Sequence, residues 1–303
     1  MELQIQLKLE ANCDFHLARD CILRVFVVLP AVNDAPLAQL EVQVSGSKIQ
    51  NGVRFSAWEK RFPFQTHNEQ TKSVDDQLDD ARPKVDYKFM RNAQGELISG
   101  GVTGIVELIE NGTALKTPYP GPEMDLHIRD IAKEADIYHR IGPHKRLARM
   151  LDHPDEGLVL EFMRNGDLKT YLQSKSSIPI DLKVKWAYQV AEAVDLLHKN
   201  DVIHCDIKPR NTLLDTCFDT KIIDFSGSSL DGSRPTSGES TRFFLPRHWK
   251  DPSTVATDLF ALGSTIYEAF YATSPYRDIA SDEVERLYNK MSSLVYQTNH
   301  GDR

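Results

Sequence analysis

The chain has 303 residues, with 36 Lys and Arg against 44 Asp and Glu and a formal net charge of −8 at pH 7. That length admits one large domain or two lobes, and an anionic balance excludes nucleic-acid binding as the main activity, since a phosphate backbone demands a cationic field. The four cysteines, Cys13, Cys21, Cys205 and Cys217, show neither a CxxC pair nor metal-ligand spacing, which excludes a disulfide framework and points to a reducing, cytoplasmic compartment, the nucleus remaining open.

The first ten residues, MELQIQLKLE, alternate polar and apolar side chains and carry no signal-peptide core. The longest apolar run, residues 21–32, is broken by Arg24 and Pro30 and falls short of the ~18 residues a membrane span needs. Period-2 alternation at residues 3–9, 22–29 and 37–44 predicts three strands. Residues 64–85 are polar without an apolar period and read as a linker. Residues 1–85 therefore form an N-terminal β-rich extension plus linker, to which the residues assign no role.

From Tyr87 the texture changes. Residues 96–110 place apolar stretches on both sides of a Gly-rich turn, and Ala114-Leu115-Lys116 follows a turn at Asn111-Gly112. Residues 124–141 carry Ile131, Ala135, Tyr138 and Ile141 at helical spacing, with Glu134 beside that stripe. Leu158 to Met163 reads as a short buried strand, with a stop at Asn165-Gly166. Asp181 is predicted to cap a long helix whose apolar face holds Trp186, Val190, Val194 and Leu197. Strand-like segments at 202–204 and 221–224 flank a polar loop, and residues 258–271 form an apolar helix. Strands first and helices afterwards predict an α+β fold in two lobes.

Three motifs carry chemistry. Ser99 to Val106, SGGVTGIV, matches G-x-G-x-x-G-x-V at Gly101, Gly104 and Val106 but has Ser99 at the first glycine. Glycines there let backbone N–H groups approach phosphate oxygens. Alone this is a common hairpin turn. Lys116, ten residues beyond Val106, makes it sharper, although a strand lysine is ordinarily a solvated one. Glu134 completes the pattern, because an inward carboxylate needs a cation and Lys116 is the natural partner. The second motif is His204 to Asn211, HCDIKPRN, and the third is Ile223 to Ser226, IDFS. Asn211 follows Asp206 by five residues, and Asp224 follows by thirteen more.

These segments resemble the H-R-D-x-K-x-x-N catalytic loop and the D-F-G of eukaryotic protein kinases, over about residues 95–276. The resemblance implies a two-lobed protein-kinase-like fold, with a β-rich N-lobe at 86–163 and a helical C-lobe at 164–303. It implies an ATP-dependent Ser/Thr protein kinase that uses Mg²⁺ and takes Ser/Thr acceptors on proteins, Lys208 marking the Ser/Thr branch. Asp206 would orient the acceptor hydroxyl and Lys208 would neutralise the γ-phosphate. Asn211 and Asp224 would hold Mg²⁺. Lys116, paired to Glu134, would contact the α- and β-phosphates, with Gly101, Gly104 and Val106 covering the nucleotide. Leu160 would be the gatekeeper, Glu161 and Met163 would pair with adenine, Asp167 would contact ribose, and Asp258 would brace the catalytic loop.

Four departures from the family pattern bear on activity. Cys205 replaces the arginine of H-R-D, Ser226 replaces the glycine of D-F-G, and Arg247 stands where A-P-E has its glutamate. After the 258–271 helix only residues 282–291 have a helical pattern, so the C-lobe reads as truncated, and the apolar surface thereby exposed is expected to favour aggregation or to bind a covering partner. These features keep a pseudokinase or regulatory nucleotide-binding module as an alternative. A small-molecule kinase of the aminoglycoside or choline type shares the H-x-D-x-x-x-x-N loop but is disfavoured by Lys208 and by Asp224-Phe225-Ser226.

Overall fold

A computed structural model describes residues 7–8, 23–28, 39–44, 94–155, 157–248 and 250–288. The chain divides into two compact units, one of Met1–Val74 with Tyr276–Arg303 and the other Asp75–Pro275. In the first unit, β1 (Leu7–Lys8), β2 (Leu23–Val28) and β3 (Gln39–Val44) form an antiparallel sheet in that order. Each strand lies within one of the three alternating stretches. Residues 281–288 are helical; the rest of the predicted 282–291 segment, and the 64–85 linker, lie outside the described residues.

The second unit opens with a five-stranded antiparallel sheet. Its strands are β4 (Glu96–Gly100), β5 (Gly104–Leu108), β6 (Thr113–Pro118), β7 (Met150–Asp152) and β8 (Leu158–Glu161), in the order β4-β5-β6-β8-β7. Gly112 turns β5 into β6 with φ +79°, and the Asn111 side chain accepts from the Thr113 backbone N–H at 3.0 Å. Register places Val106 and Leu158 directly across from Lys116 on either side. Opposed residues in a ladder share one face, so the lysine has apolar neighbours along its stem.

Helix α1 (Met124–Ile141) follows β6, burying Ile131, Glu134, Ala135, Ile137 and Tyr138. Beyond β8 come α2 (Leu168–Ser174), α3 (Ile180–Lys199) and α4 (Val255–Tyr271). Between α3 and α4 lie two small antiparallel ladders. One joins β9 (Val202–Ile203) to β12 (Ser229–Leu230), and the other joins β10 (Thr212–Leu214) to β11 (Thr220–Ile222). The helical core gathers Leu168, Leu172, Trp186, Leu214 and Ala269. Burial of each large side chain there contributes about 1.5–3 kcal/mol, and the Trp186 indole N–H is satisfied by the Phe218 carbonyl at 2.9 Å.

Two expectations are corrected. Asp181 does not cap α3: the cap position is Pro179, and Asp181 sits inside the first turn, where its charge still complements the helix dipole. The apolar surface expected to lie open on the 258–271 helix is not open. Leu259, Ala261, Leu262, Ile266, Ala269 and Phe270 are buried, because α4 packs against α3, α2 and the turn at Thr241–Phe243.

Candidate active site

Lys116, Glu134 and Asp224 meet in the interior although they come from a strand, a helix and a loop. The Lys116 Nζ lies 2.7 Å from Glu134 Oε2 and 2.7 Å from Asp224 Oδ1. The sheet face delivers the lysine, and the buried stripe of α1 delivers the glutamate. Asp224 follows β11 in a left-handed conformation, φ +71°, an uncommon state for a residue with a Cβ and one that clusters at functional sites. Phe225 holds that turn in place: it is fully buried, with its ring edge-on to Tyr138 at 5.1 Å between centroids and 5.3 Å from His204.

The loop between β9 and β10 carries the second group. The Asp206 Oδ2 accepts from Lys208 Nζ at 2.7 Å and from Asn211 Nδ2 at 3.0 Å. Its Oδ1 is buried with no hydrogen-bond partner among the described residues. The loop is fixed from beneath by Asp258, a wholly buried carboxylate on α4. It accepts from the backbone N–H groups of His204 (2.8 Å) and Cys205 (2.9 Å) and contacts His198 Nε2 at 2.9 Å. His204 in turn ties the two segments together: its Nδ1 accepts from the Asp206 N–H and its Nε2 faces the Ile223 carbonyl at 3.1 Å, an arrangement that assigns the proton to Nε2.

The electrostatics push the two aspartates apart. Burial raises Asp206 above the ordinary carboxylate range, with Lys208 opposing it. Burial also works against ionisation of Asp224, but Lys116 beside it outweighs that cost and holds its carboxyl down at about 2. Burial raises Glu134 too, against the pull of Lys116. The Cys205 thiol is pushed up to about 12, by burial first and then by Asp258, so this left-handed residue (φ +67°) is an inert, neutral thiol.

The other predicted positions fall as follows. Gly101 closes the hairpin turn, its N–H donating to the Gly104 carbonyl at 2.9 Å. Gly104 lies against β6, where a Cβ would meet the Thr117 carbonyl oxygen at 2.1 Å. Val106 is half-buried across from Lys116. Leu160 is buried on β8. The Glu161 N–H bonds to the Arg149 carbonyl at 2.9 Å and its carboxylate to Lys221 at 2.9 Å. Met163 is buried, and its carbonyl accepts from the Gly166 N–H. Asp167 caps α2 through Thr170. Arg247 pairs with the buried Glu239 carboxylate at 2.8 Å and stacks on Phe244. Lys116, Glu134, Asp224, Asp206, Lys208 and Asn211 are thus brought into two adjoining clusters.

A magnesium ion fits the oxygen donors present. Asn211 commits its Nδ2 to Asp206, leaving Oδ1 as its ligand atom, and the Asp224 carboxylate is one-third exposed. Among the described residues no group of three or more His, Cys, Asp or Glu side chains could hold a metal. A Mg²⁺ ion that takes one or two protein oxygens and completes its shell with phosphate and water needs no such group.

Two hydroxyls at this site were not assigned a contact from the sequence. Ser226 Oγ contacts both Lys116 Nζ (3.2 Å) and Asp224 Oδ1 (3.1 Å), and Thr103 Oγ1 donates to it at 3.0 Å. The Ser226 departure from glycine was visible, but nothing in the sequence paired it with Thr103, 123 residues earlier.

Comparison with known proteins gives a family model described as protein kinase domain, which matches residues 95–301, more than half of the chain. Receptor-interacting serine/threonine-protein kinase 1 of Homo sapiens is 27% identical over 223 residues, 64% of this chain and 33% of that protein. Aurora kinase of Schizosaccharomyces pombe is 31% identical over 175 residues, 55% of this chain and 49% of that protein. The G-type lectin S-receptor-like serine/threonine-protein kinase LECRK2 of Oryza sativa subsp. japonica is 34% identical over 235 residues, 71% of this chain and 29% of that protein. The chain therefore spans half or less of the length of these relatives.

Proposed function

The chain belongs to the protein kinase family, and we propose that it transfers the γ-phosphoryl group of ATP to Ser/Thr hydroxyls of protein substrates. The observation that carries this reading is the convergence of Lys116, Glu134 and Asp224 within 2.7 Å contacts beside the Asp206–Lys208–Asn211 cluster. Phosphoryl transfer asks a protein for alignment and charge neutralisation more than for covalent chemistry. In this reading Asp206, whose environment favours a proton, accepts or orients the proton of the acceptor hydroxyl through its free Oδ1. Lys208 neutralises charge on the group in transfer. Asp224, held ionised, and Asn211 would hold Mg²⁺, which would supply positive charge against the phosphates. Lys116, kept in place by Glu134, meets the α- and β-phosphates under the hairpin of Gly101, Gly104 and Val106. Glu161 and Met163 line the adenine side and Asp167 the ribose side.

Residues 86–163 and 164–303 are the two lobes in this proposal, with residues 1–85 an extension. Lys208, together with relatives that are serine/threonine kinases by name, supports the Ser/Thr assignment. Cys205 and Cys217 are free thiols, in keeping with a reducing, cytoplasmic setting, and no helix among the described residues is long and apolar enough to cross a membrane. The test is ³²P transfer from ATP to a generic protein substrate. Asp206→Asn should lower the rate by about 10²–10⁴-fold while leaving the melting temperature in place. Equal rates in wild type and variant would remove the assignment.

A second reading, a regulatory nucleotide-binding module without transfer, is favoured by one observation. Ser226 and Lys116 together hold Asp224, so two groups assigned to the nucleotide are already paired to each other. Nucleotide binding with no Asp206-dependent transfer would establish that reading in place of the first.

A further inference from the structure

Ser226 and Thr103 take no part in the proposed transfer, yet both are buried and bonded within the cluster that would receive the phosphates. The hairpin between β4 and β5 points Val102 outward, 71% exposed, and turns Thr103 inward, 6% exposed. Thr103 Oγ1 donates to Ser226 Oγ at 3.0 Å. Ser226 Oγ also accepts from Lys116 Nζ at 3.2 Å and donates to Asp224 Oδ1 at 3.1 Å. A serine hydroxyl has one proton to give and two lone pairs to receive, so Ser226 is saturated: Thr103 and Lys116 fill its lone pairs, and Asp224 takes its proton. The hairpin tip is thereby tied, through one shared hydroxyl, to the two charged groups that would meet the phosphates and their cation.

We propose that Ser226 is a positioning residue that latches the Gly-rich hairpin, through Thr103, over the Lys116–Asp224 pair, so that a magnesium nucleotide binds only by parting the Thr103–Ser226 bond. This rests on the assignment of Lys116 and Asp224 to the nucleotide phosphates. The latch sets nucleotide affinity through the stability of the closed, empty site, because a ligand that binds the open state is weakened by the fraction held closed. A glycine at position 226 could offer no such bond, and a threonine at 103 would then have no acceptor there.

The test uses the full chain and a fluorescent ATP analogue with Mg²⁺. Thr103→Val keeps the β-branched shape but removes the hydroxyl, and one hydrogen bond of net about 0.5–1.5 kcal/mol corresponds to roughly two- to tenfold tighter binding. In a Ser226→Ala background the same Thr103→Val change should leave affinity unaltered, the non-additivity expected of two residues sharing one bond. Hydrogen exchange of the 101–104 amides in the nucleotide-free protein should be faster in each single variant than in wild type. Unchanged or weaker binding by Thr103→Val, with wild type binding, overturns the latch alone. An equal Thr103→Val effect in the Ser226→Ala background also overturns it, since the bond would then be irrelevant. If neither wild type nor Thr103→Val binds the nucleotide, the ATP assignment fails and the latch falls with it; binding restored only in Thr103→Val would establish both.

Discussion

Lys116 is nearly buried between two carboxylates, and what it contributes depends on which is considered. Toward Glu134, whose side chain is 1% exposed, it removes the cost of an isolated interior charge. Breaking such a pair by deleting one partner costs about 3–5 kcal/mol, whereas replacing both partners is often close to neutral. Lys116→Met should therefore destabilise the chain by about that amount, and Lys116→Met combined with Glu134→Gln should regain the part that comes from Glu134, Asp224 being left without its cation in both. Both variants should lose phosphoryl transfer, because the ammonium is absent in each. Denaturant melts alongside the transfer assay would separate the two effects; a double variant as unstable as the single would place the cost at Asp224 rather than at Glu134. Glu239 and Arg247 repeat the logic in another place. The arginine replaces the glutamate expected in that motif, and its partner is a carboxylate eight residues earlier, so the ion pair is kept within the segment itself.

At the scale of elements, the β10–β11 hairpin shows how a short ladder of three residue pairs is kept in register by its surroundings. Gln189 on α3 accepts from the Thr220 N–H at 2.8 Å and donates to Asp219 at 2.7 Å, while Lys185 on the same helix pairs with Asp219. Lys185, and then Gln189, hold the Asp219 carboxyl below its ordinary value. A depressed folded-state pKa contributes stability that is present above the unfolded value of about 3.9 and is lost as pH falls through the folded value. Asp219→Asn should thus be less stable than wild type at pH 6, with the gap closing as the pH is taken below about 4. Urea midpoints at several pH values check this, and a gap that stayed constant would exclude the ionised form as its source. The same hairpin explains a limit of sequence reading. β7, β10 and β12 have two or three residues each, too few for a period, and are strands only because a partner lies beside them. By contrast α1, β5 and β6 carry their pattern within themselves, and were legible for that reason. The helix at Leu168–Ser174 was hidden behind Asn165-Gly166, a sound turn signal that closed one element without revealing that Asp167 opens the next.

For the second compact unit as a whole, Asp258 is the residue through which its segments are joined. One carboxylate on α4 receives the backbone of His204 and Cys205 and touches His198 on α3. Asp258→Ala leaves two buried amides without an acceptor, at about 1–3 kcal/mol each, and the expected outcome is a lower denaturation midpoint together with loss of any Asp206-dependent activity. Asp258→Asn keeps an acceptor oxygen and should lie between the two. A midpoint unchanged in Asp258→Ala would mean that water or another group takes over both amides. The charged members of the candidate site were readable because their type and spacing are demanded by chemistry. The pairing of Ser226 with Thr103 was not, because a hydroxyl has no periodicity and their meeting depends on how one hairpin closes.

The two glycines of that hairpin record different kinds of information. A side chain at Gly104 would drive into the Thr117 carbonyl, whereas at Gly101 the nearest atom to an added Cβ is 3.9 Å away. Gly104 therefore encodes the spacing of two strands and would be demanded of this sheet whatever bound beneath it, while Gly101 is left free to answer to a ligand. In a chain whose first glycine position is already serine, a fingerprint that scores every glycine alike counts architecture as recognition, and here one of the two remaining matches is a statement about the scaffold.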